Sequence, residues 1–367
     1  MKYFRLRRPS ALTVPAQTAN PQVPTNPAMA SDSEVRSILA ERIDKRHPVV
    51  GIVVGVLEPS GRRIVTYGSA AKDDKRPLNG DTVFEIGSVS KVFTSLVLAD
   101  MVRKSEVALT DPAAKYLPAS VKMRERGGQQ ITLRDLATQT SGLPRLPSNL
   151  RPKDSANPYA DYTPELLYRF LSGYKPTRNP GSKYEYSNLG VGLLGHVLAR
   201  RAGTDYETQV RTRICDPLSL SDTRITLSPE MKLRMATGYD RHMEPVTNWD
   251  LPTLAGAGAL RSTANDLLTF LAANLGDTKL PLGQAMSSML AVRRPTGTPG
   301  LEIALGWHVT TNEDRETIWH NGGTGGFRSY IAFDLKRRLA IVVLSNAGTA
   351  AWIDDIGRHL LSPTVAL

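Results

Sequence analysis

At 367 residues, with 41% hydrophobic and 22% charged side chains, the chain can build one large core or two modest ones, and its composition is not that of a disordered protein. The net charge of +11 is dispersed in short pairs such as Arg62-Arg63 and Arg337-Arg338, with no basic run interleaved with aromatics, so no nucleic-acid partner is expected. A lone cysteine, Cys215, excludes an intramolecular disulfide, and six histidines without ligand spacing give no metal centre and no sign of a cofactor.

Residues 1–30 begin like a secretory leader, with Lys2, Arg5, Arg7 and Arg8, but prolines at 9, 15, 21, 24 and 27 interrupt the apolar run that export needs. They read as a flexible extension or a truncated leader, ahead of a single catalytic domain over 31–367. A first helix is expected where Ser31 and Glu34 form a capping box ahead of Val35, Ile38, Leu39 and Ile43. Val49–Leu57 and Ile64–Tyr67, joined through Pro59-Ser60-Gly61, predict a hairpin. A helix follows over 88–103, and 110–300 reads as helical pieces between Pro/Gly-rich loops, among them a strong helix from Asn188 to Ala202 stopped by Gly203. Three strands are expected late, at Thr317–His320, Ser329–Phe333 and Leu339–Leu344, before a closing amphipathic helix with Ile353, Ile356, Leu360 and Leu361. No apolar stretch of 18 residues exists that would span a membrane.

Strand groups at both ends of a helical middle predict an α/β (α+β) fold, with one antiparallel sheet flanked by terminal helices and an all-helical lobe alongside. The sheet lobe would comprise about 31–110 and 300–367, the helical lobe about 111–299, and a cleft between them is the expected ligand site.

Three motifs carry chemistry. Ser88-Val89-Ser90-Lys91 is an SxxK sequence at a helix start, which puts a hydroxyl and an amine on one side of the first turn. Burial would lower the lysine pKa and let it activate the hydroxyl. Two further SxxK matches, at Ser69 and Ser172, lack that context: one ends a strand and the other leads into helix breakers. Taken alone, Ser88 could equally be a cap and Lys91 a solvated lysine. Tyr186-Ser187-Asn188 precedes the helix from Asn188, offering a phenol as base and an amide for substrate and lysine. His320-Asn321-Gly322-Gly323 ends a strand where glycines permit close approach and a backbone N–H can face an oxyanion. A phosphate loop is excluded there because no helix or lysine follows at the required spacing. Cys215, beside Asp216-Pro217, reads as a small buried apolar group.

On these residues, and on Leu109-Thr110-Asp111-Pro112, Thr140-Ser141-Gly142-Leu143-Pro144 and Pro180-Gly181, the chain resembles the serine β-lactamase superfamily from about 35 to 362. The likeness is to its class C branch, which includes D,D-peptidases, D-aminopeptidases and family VIII esterases. The resemblance implies a β-lactamase/transpeptidase-like fold with Ser88 as acylated nucleophile, Lys91 as its proton partner and Tyr186 sharing the base role. It implies Asn188 on the substrate amide, the Ser88 and Gly323 N–H groups as oxyanion hole, and His320, Asn321 and Gly322 along the substrate. This chain departs from the class C pattern in having His320-Asn321-Gly322 for Lys-Thr-Gly and Leu146 for a glutamine. Arg328 or Asn346 is then expected to take a substrate carboxylate. The substrate is expected to be a β-lactam or D-alanyl peptide, hydrolysed by a monomer; the resemblance implies the periplasm or the outside of the cell, with the cytoplasm as the alternative that the broken leader pattern leaves open. Rival readings are a carboxylesterase on small acyl esters and a non-catalytic penicillin-binding scaffold. The G-x-S-x-G elbow of α/β-hydrolases is absent.

Overall fold

A computed structural model of the chain describes residues 29–46, 49–313 and 315–367; the leader reading of the N-terminus falls on 1–28, outside the described residues. Helix α1 (Asp32–Ala40) starts at the expected box, with Ser31 accepting from the Glu34 N–H and the Glu34 carboxylate accepting from the Ser31 N–H. Strands β1 (Gly51–Glu58), β2 (Gly61–Ala71) and β3 (Asp74–Pro77) follow, and β4 (Phe84–Glu85) leads into a turn of 3-10 helix at Gly87–Val89 and then α2 (Ser90–Arg103). The helical middle holds α3 (Leu133–Ala137), α4 (Pro164–Gly173), α5 (Asn188–Ala202), α6 (Tyr206–Val210), α7 (Asp216–Leu218) and α8 (Pro229–Arg234). A short β5 (Arg261–Ser262) pairs with β4, and α9 (Ala264–Ala272) and α10 (Leu282–Ala291) complete this half. The chain then returns to the sheet through β6 (Arg294–Pro295), β7 (Leu301–Ile303), β8 (His308–Asn312), β9 (Arg315–Gly323), β10 (Arg328–Asp334) and β11 (Leu339–Ser345), closing with α11 (Ile353–Leu361).

The sheet runs β3-β2-β1-β11-β10-β9-β8-β7-β6, every pair antiparallel, so strands from the two ends of the chain meet at β1 and β11. Alternation along each strand divides its side chains between two cores. Ile331, Phe333, Val342 and Leu344 pack toward α2, α5 and α9, while Tyr330, Ala332, Ile341 and Val343 pack against α1 and α11. The sheet is larger than the sequence reading, which missed β3 and the run β6–β8. Those strands are two to five residues long, and Pro295, Pro299 and Gly300 punctuate the later ones as loops do. Helix α5 matches its predicted limits because its signals are local: Ser187 accepts from the Gly190 N–H, and Gly203 takes φ +70° at the other end. Among the described residues no helix is long and apolar enough to cross a membrane.

Candidate active site

Ser88 stands in the tight turn between β4 and α2, and that turn is pressed against the end of β9. Gly87 has φ +47°, and a Cβ on it would lie 2.6 Å from the Gly323 nitrogen. A Cβ on Gly322 would collide with the Ile86 carbonyl and the Ser329 hydroxyl, and would approach the Ser88 nitrogen to 2.9 Å. Glycine is therefore required at 87 by conformation and at 322 by backbone contact. The Ser329 hydroxyl donates to the Ile86 carbonyl at 2.8 Å, and the Ile86 N–H donates to Leu260 O at 3.1 Å, so the nucleophile turn is held from two sides.

Lys91 is completely buried, 0% exposed. Its Nζ lies 2.8 Å from Ser88 Oγ, 2.9 Å from Asn188 Oδ1 and 2.7 Å from the Ala257 carbonyl. Burial, reinforced by the Arg145 charge, holds the amine well below the usual lysine range. A neutral amine has two N–H donors and one lone pair. Ala257 O and Asn188 Oδ1 can only accept, so they take the two donors. The lone pair is left for the Ser88 hydroxyl, the one neighbour with a proton to give. This is the arrangement a general base requires.

Tyr186 shares this pocket. Lys91 Nζ is 4.9 Å from the centre of its ring, and the His320 ring centroid is 6.4 Å away. Burial pushes its phenol above the ordinary tyrosine value, while the Ser88 hydroxyl and the Arg145 charge pull it back down. The balance holds the phenol toward its protonated form in the resting protein. Asn188, at the first turn of α5, extends its Nδ2 to Tyr159 Oη at 3.5 Å.

His320 is 1% exposed, and burial, with His308 and Lys91 nearby, keeps it neutral. Its Nδ1 lies 2.6 Å from the Asn321 carbonyl, which can only accept, so Nδ1 carries the proton and Nε2 keeps a lone pair. His308 stands behind it, rings 5.2 Å apart, with a pKa lowered by burial to about 4 and its Nε2 3.1 Å from Tyr184 Oη.

Three expected substrate contacts point elsewhere. Asn321 alternates to the opposite face of β9, where its amide donates to Asp354 of α11. Arg328 lies over Gly323, where a Cβ would meet its guanidinium, and its charge is felt by Asp354. Asn346 is fully buried, and its amide donates to the carbonyls of Ser69 and Ala70 at 3.4 and 3.1 Å. Sequence reading also missed two groups that border the pocket, Tyr159 and Arg145. Arg145 places its Cζ 5.2 Å from the centre of the Tyr186 ring. Both stand in loops whose positions are set by tertiary contacts, and no motif marks them. No cluster of three or more potential metal ligands occurs among the described residues.

The β-lactamase family model matches residues 35–362. A β-lactamase of Pseudomonas fluorescens is 28% identical over 354 residues, covering 86% of this chain and 94% of that protein. The D-alanyl-D-alanine-carboxypeptidase/endopeptidase AmpH of Escherichia coli (strain K12) is 30% identical, covering 87% and 85% respectively. The crystal structure of a class C β-lactamase from Rhodobacter sphaeroides superposes with TM-score 0.77 at 27% identity, over 90% of this chain and 99% of that one. A likeness that runs through the sheet, the helical lobe and the turn carrying Ser88 places the chain in the β-lactamase family, as a serine hydrolase.

Proposed function

We propose that Ser88 attacks the carbonyl of a β-lactam or a D-alanyl peptide and forms an acyl-enzyme that water then releases. As the Oγ–carbonyl bond forms, the Ser88 proton passes to the neutral Lys91 amine. Tyr186 gives its phenolic proton to the leaving nitrogen as the amide C–N bond breaks, and the Lys91 ammonium restores it. The N–H groups of Ser88 and Gly323 hold the developing oxyanion, each donor contributing about 3 kcal/mol to the barrier reduction. In the second half, water replaces Ser88 as nucleophile and the same groups return the proton to Oγ.

One observation carries this reading: a buried lysine Nζ 2.8 Å from Ser88 Oγ, with its other two neighbours both acceptors. Asn188 is assigned to the substrate amide, and His320, by its free Nε2, to a substrate N–H. Arg328, Asn321 and Asn346 are left with the structural contacts described above. The family resemblance supports work in the periplasm or outside the cell.

The test is kcat/KM on nitrocefin, a D-Ala-D-Ala peptide and p-nitrophenyl butyrate, with mass spectrometry after incubation with a penicillin. Amide turnover with a Ser88 adduct that vanishes in Ser88→Ala supports the proposal. Turnover of the ester alone would move the assignment to a carboxylesterase. Neither turnover nor adduct would leave a non-catalytic scaffold.

A further inference from the structure

The charge inside the pocket is unusual for a site that is to meet a carboxylate-bearing substrate. Lys91 and His320 are both buried and both held toward their neutral forms, so neither offers a lasting positive charge to a ligand. Arg328, on the α11 face, is answered by Asp354. Arg145 differs from all three. It is exposed, its guanidinium stands 5.2 Å from the centre of the Tyr186 ring, and it makes no ion pair or side-chain hydrogen bond with any described residue. Its field reaches Lys91, Tyr159, Tyr184 and Tyr186, the groups that line the pocket, and no carboxylate figures among the charged neighbours of Lys91, Tyr159 or Tyr184.

Its placement is fixed by the catalytic framework. The Leu189 N–H donates to the Arg145 carbonyl at 3.1 Å, and the Ser187 hydroxyl donates to the Pro144 carbonyl at 2.6 Å. The backbone of 144–145 is thereby tied to the start of α5, the same turn that presents Tyr186 and Asn188. An unpaired guanidinium on a rigid mount, beside the reacting groups and open to solvent, matches a carboxylate in shape and charge.

We propose that Arg145 is a specificity-determining residue that receives a carboxylate carried on the acyl side of the substrate, beside the amide assigned to Asn188, so that the enzyme selects acyl groups that are anionic over neutral ones. The proposal rests on the acyl-enzyme reading above and adds to it the charge of the substrate and the residue that reads it.

Two esters with the same leaving group and similar acyl length test it: mono-p-nitrophenyl succinate, which is anionic, and p-nitrophenyl butyrate, which is neutral. The readout is the ratio of kcat/KM, anionic over neutral, with KM and kcat separated, in wild type, Arg145→Lys, Arg145→Gln and Arg145→Glu. The expected result is a fall of about tenfold in that ratio for Arg145→Gln, carried mainly by KM, and a larger fall for Arg145→Glu. Arg145→Lys should stay within about threefold of wild type, because it keeps the charge and loses only the fork. A merely structural role would lower both esters together. A constant ratio, with hydrolysis still dependent on Ser88, overturns the proposal alone. Hydrolysis that is absent, or that persists in Ser88→Ala, overturns the acyl-enzyme reading and the proposal with it.

Discussion

Adding one methyl group at each of two adjacent glycines should give opposite results. At Gly322 the new Cβ would meet the Ile86 carbonyl and come within 2.9 Å of the Ser88 nitrogen, both backbone atoms of the nucleophile turn. Neither can rotate away, so β9 and the turn must separate. The N–H groups of Ser88 and Gly323, proposed above as the oxyanion hole, would then be driven apart, and losing one oxyanion donor costs about 3 kcal/mol, a hundredfold or more in kcat. The packing cost to the fold should be smaller, about 1–3 kcal/mol. At Gly323 the new Cβ meets the guanidinium of Arg328, the far end of a flexible side chain, which can swing aside. Gly323→Ala also keeps its N–H, so it should retain kcat within about fivefold, a loss of under 1 kcal/mol. Single-turnover acylation of the two variants, with thermal melts alongside, reads both effects. Equal loss in the two variants, or full activity in Gly322→Ala, would refute the claim that this backbone contact builds the oxyanion site.

His320→Ala should lower turnover by about tenfold or more, in the range of a lost positioned polar group, while shifting the melting temperature by only a few degrees. Comparable loss of activity and of fold would argue against a catalytic role. Burial pushes the Asp354 carboxyl up to about 6, above its unfolded value, so the folded state binds the extra proton between roughly pH 4 and 6. That contribution is fully present at low pH and is lost as pH rises through 6. Asp354→Asn, which can still accept from Asn321, should therefore flatten the melting temperature between pH 4.5 and 7; an unchanged slope would show that Asp354 does not titrate there. Cys215 is buried, its thiol pushed up to about 12, with Sγ 3.4 Å from Thr223 O. It should resist iodoacetamide at pH 8 until denaturant is added, and rapid labelling of the native protein would contradict its burial.

The parts of this molecule that could be read from sequence are those with local causes. Ser31 and Glu34 cap α1, Ser187 and Gly203 bound α5, and the spacing of Ser88 and Lys91 brings hydroxyl and amine together within one turn. Tyr186 and His320 could be named because short polar motifs at element ends stand out from core patterning. What escaped depends on tertiary placement. Arg145 and Tyr159 acquire meaning only once α5 has pinned one loop and Trp249 has packed at a tilt against the other, ring centroids 5.5 Å apart. Asn321 stands apart from the cleft for a simpler reason. If His320 faces the cleft, strand alternation sends its neighbour to the other face, and Asp354 is what it finds there.

The proposed acylation requires Lys91 to be an uncharged amine at neutral pH, and the rate of Ser88 acylation as a function of pH measures that state. With the lysine pKa drawn well below 10.5, the acylation rate constant should be flat from about pH 7 to 9 and fall only on acidification, as the amine takes up a proton. A rate that climbs about tenfold per pH unit up to pH 10 would mean an ordinary charged lysine, and the proton of Ser88 would have to go elsewhere.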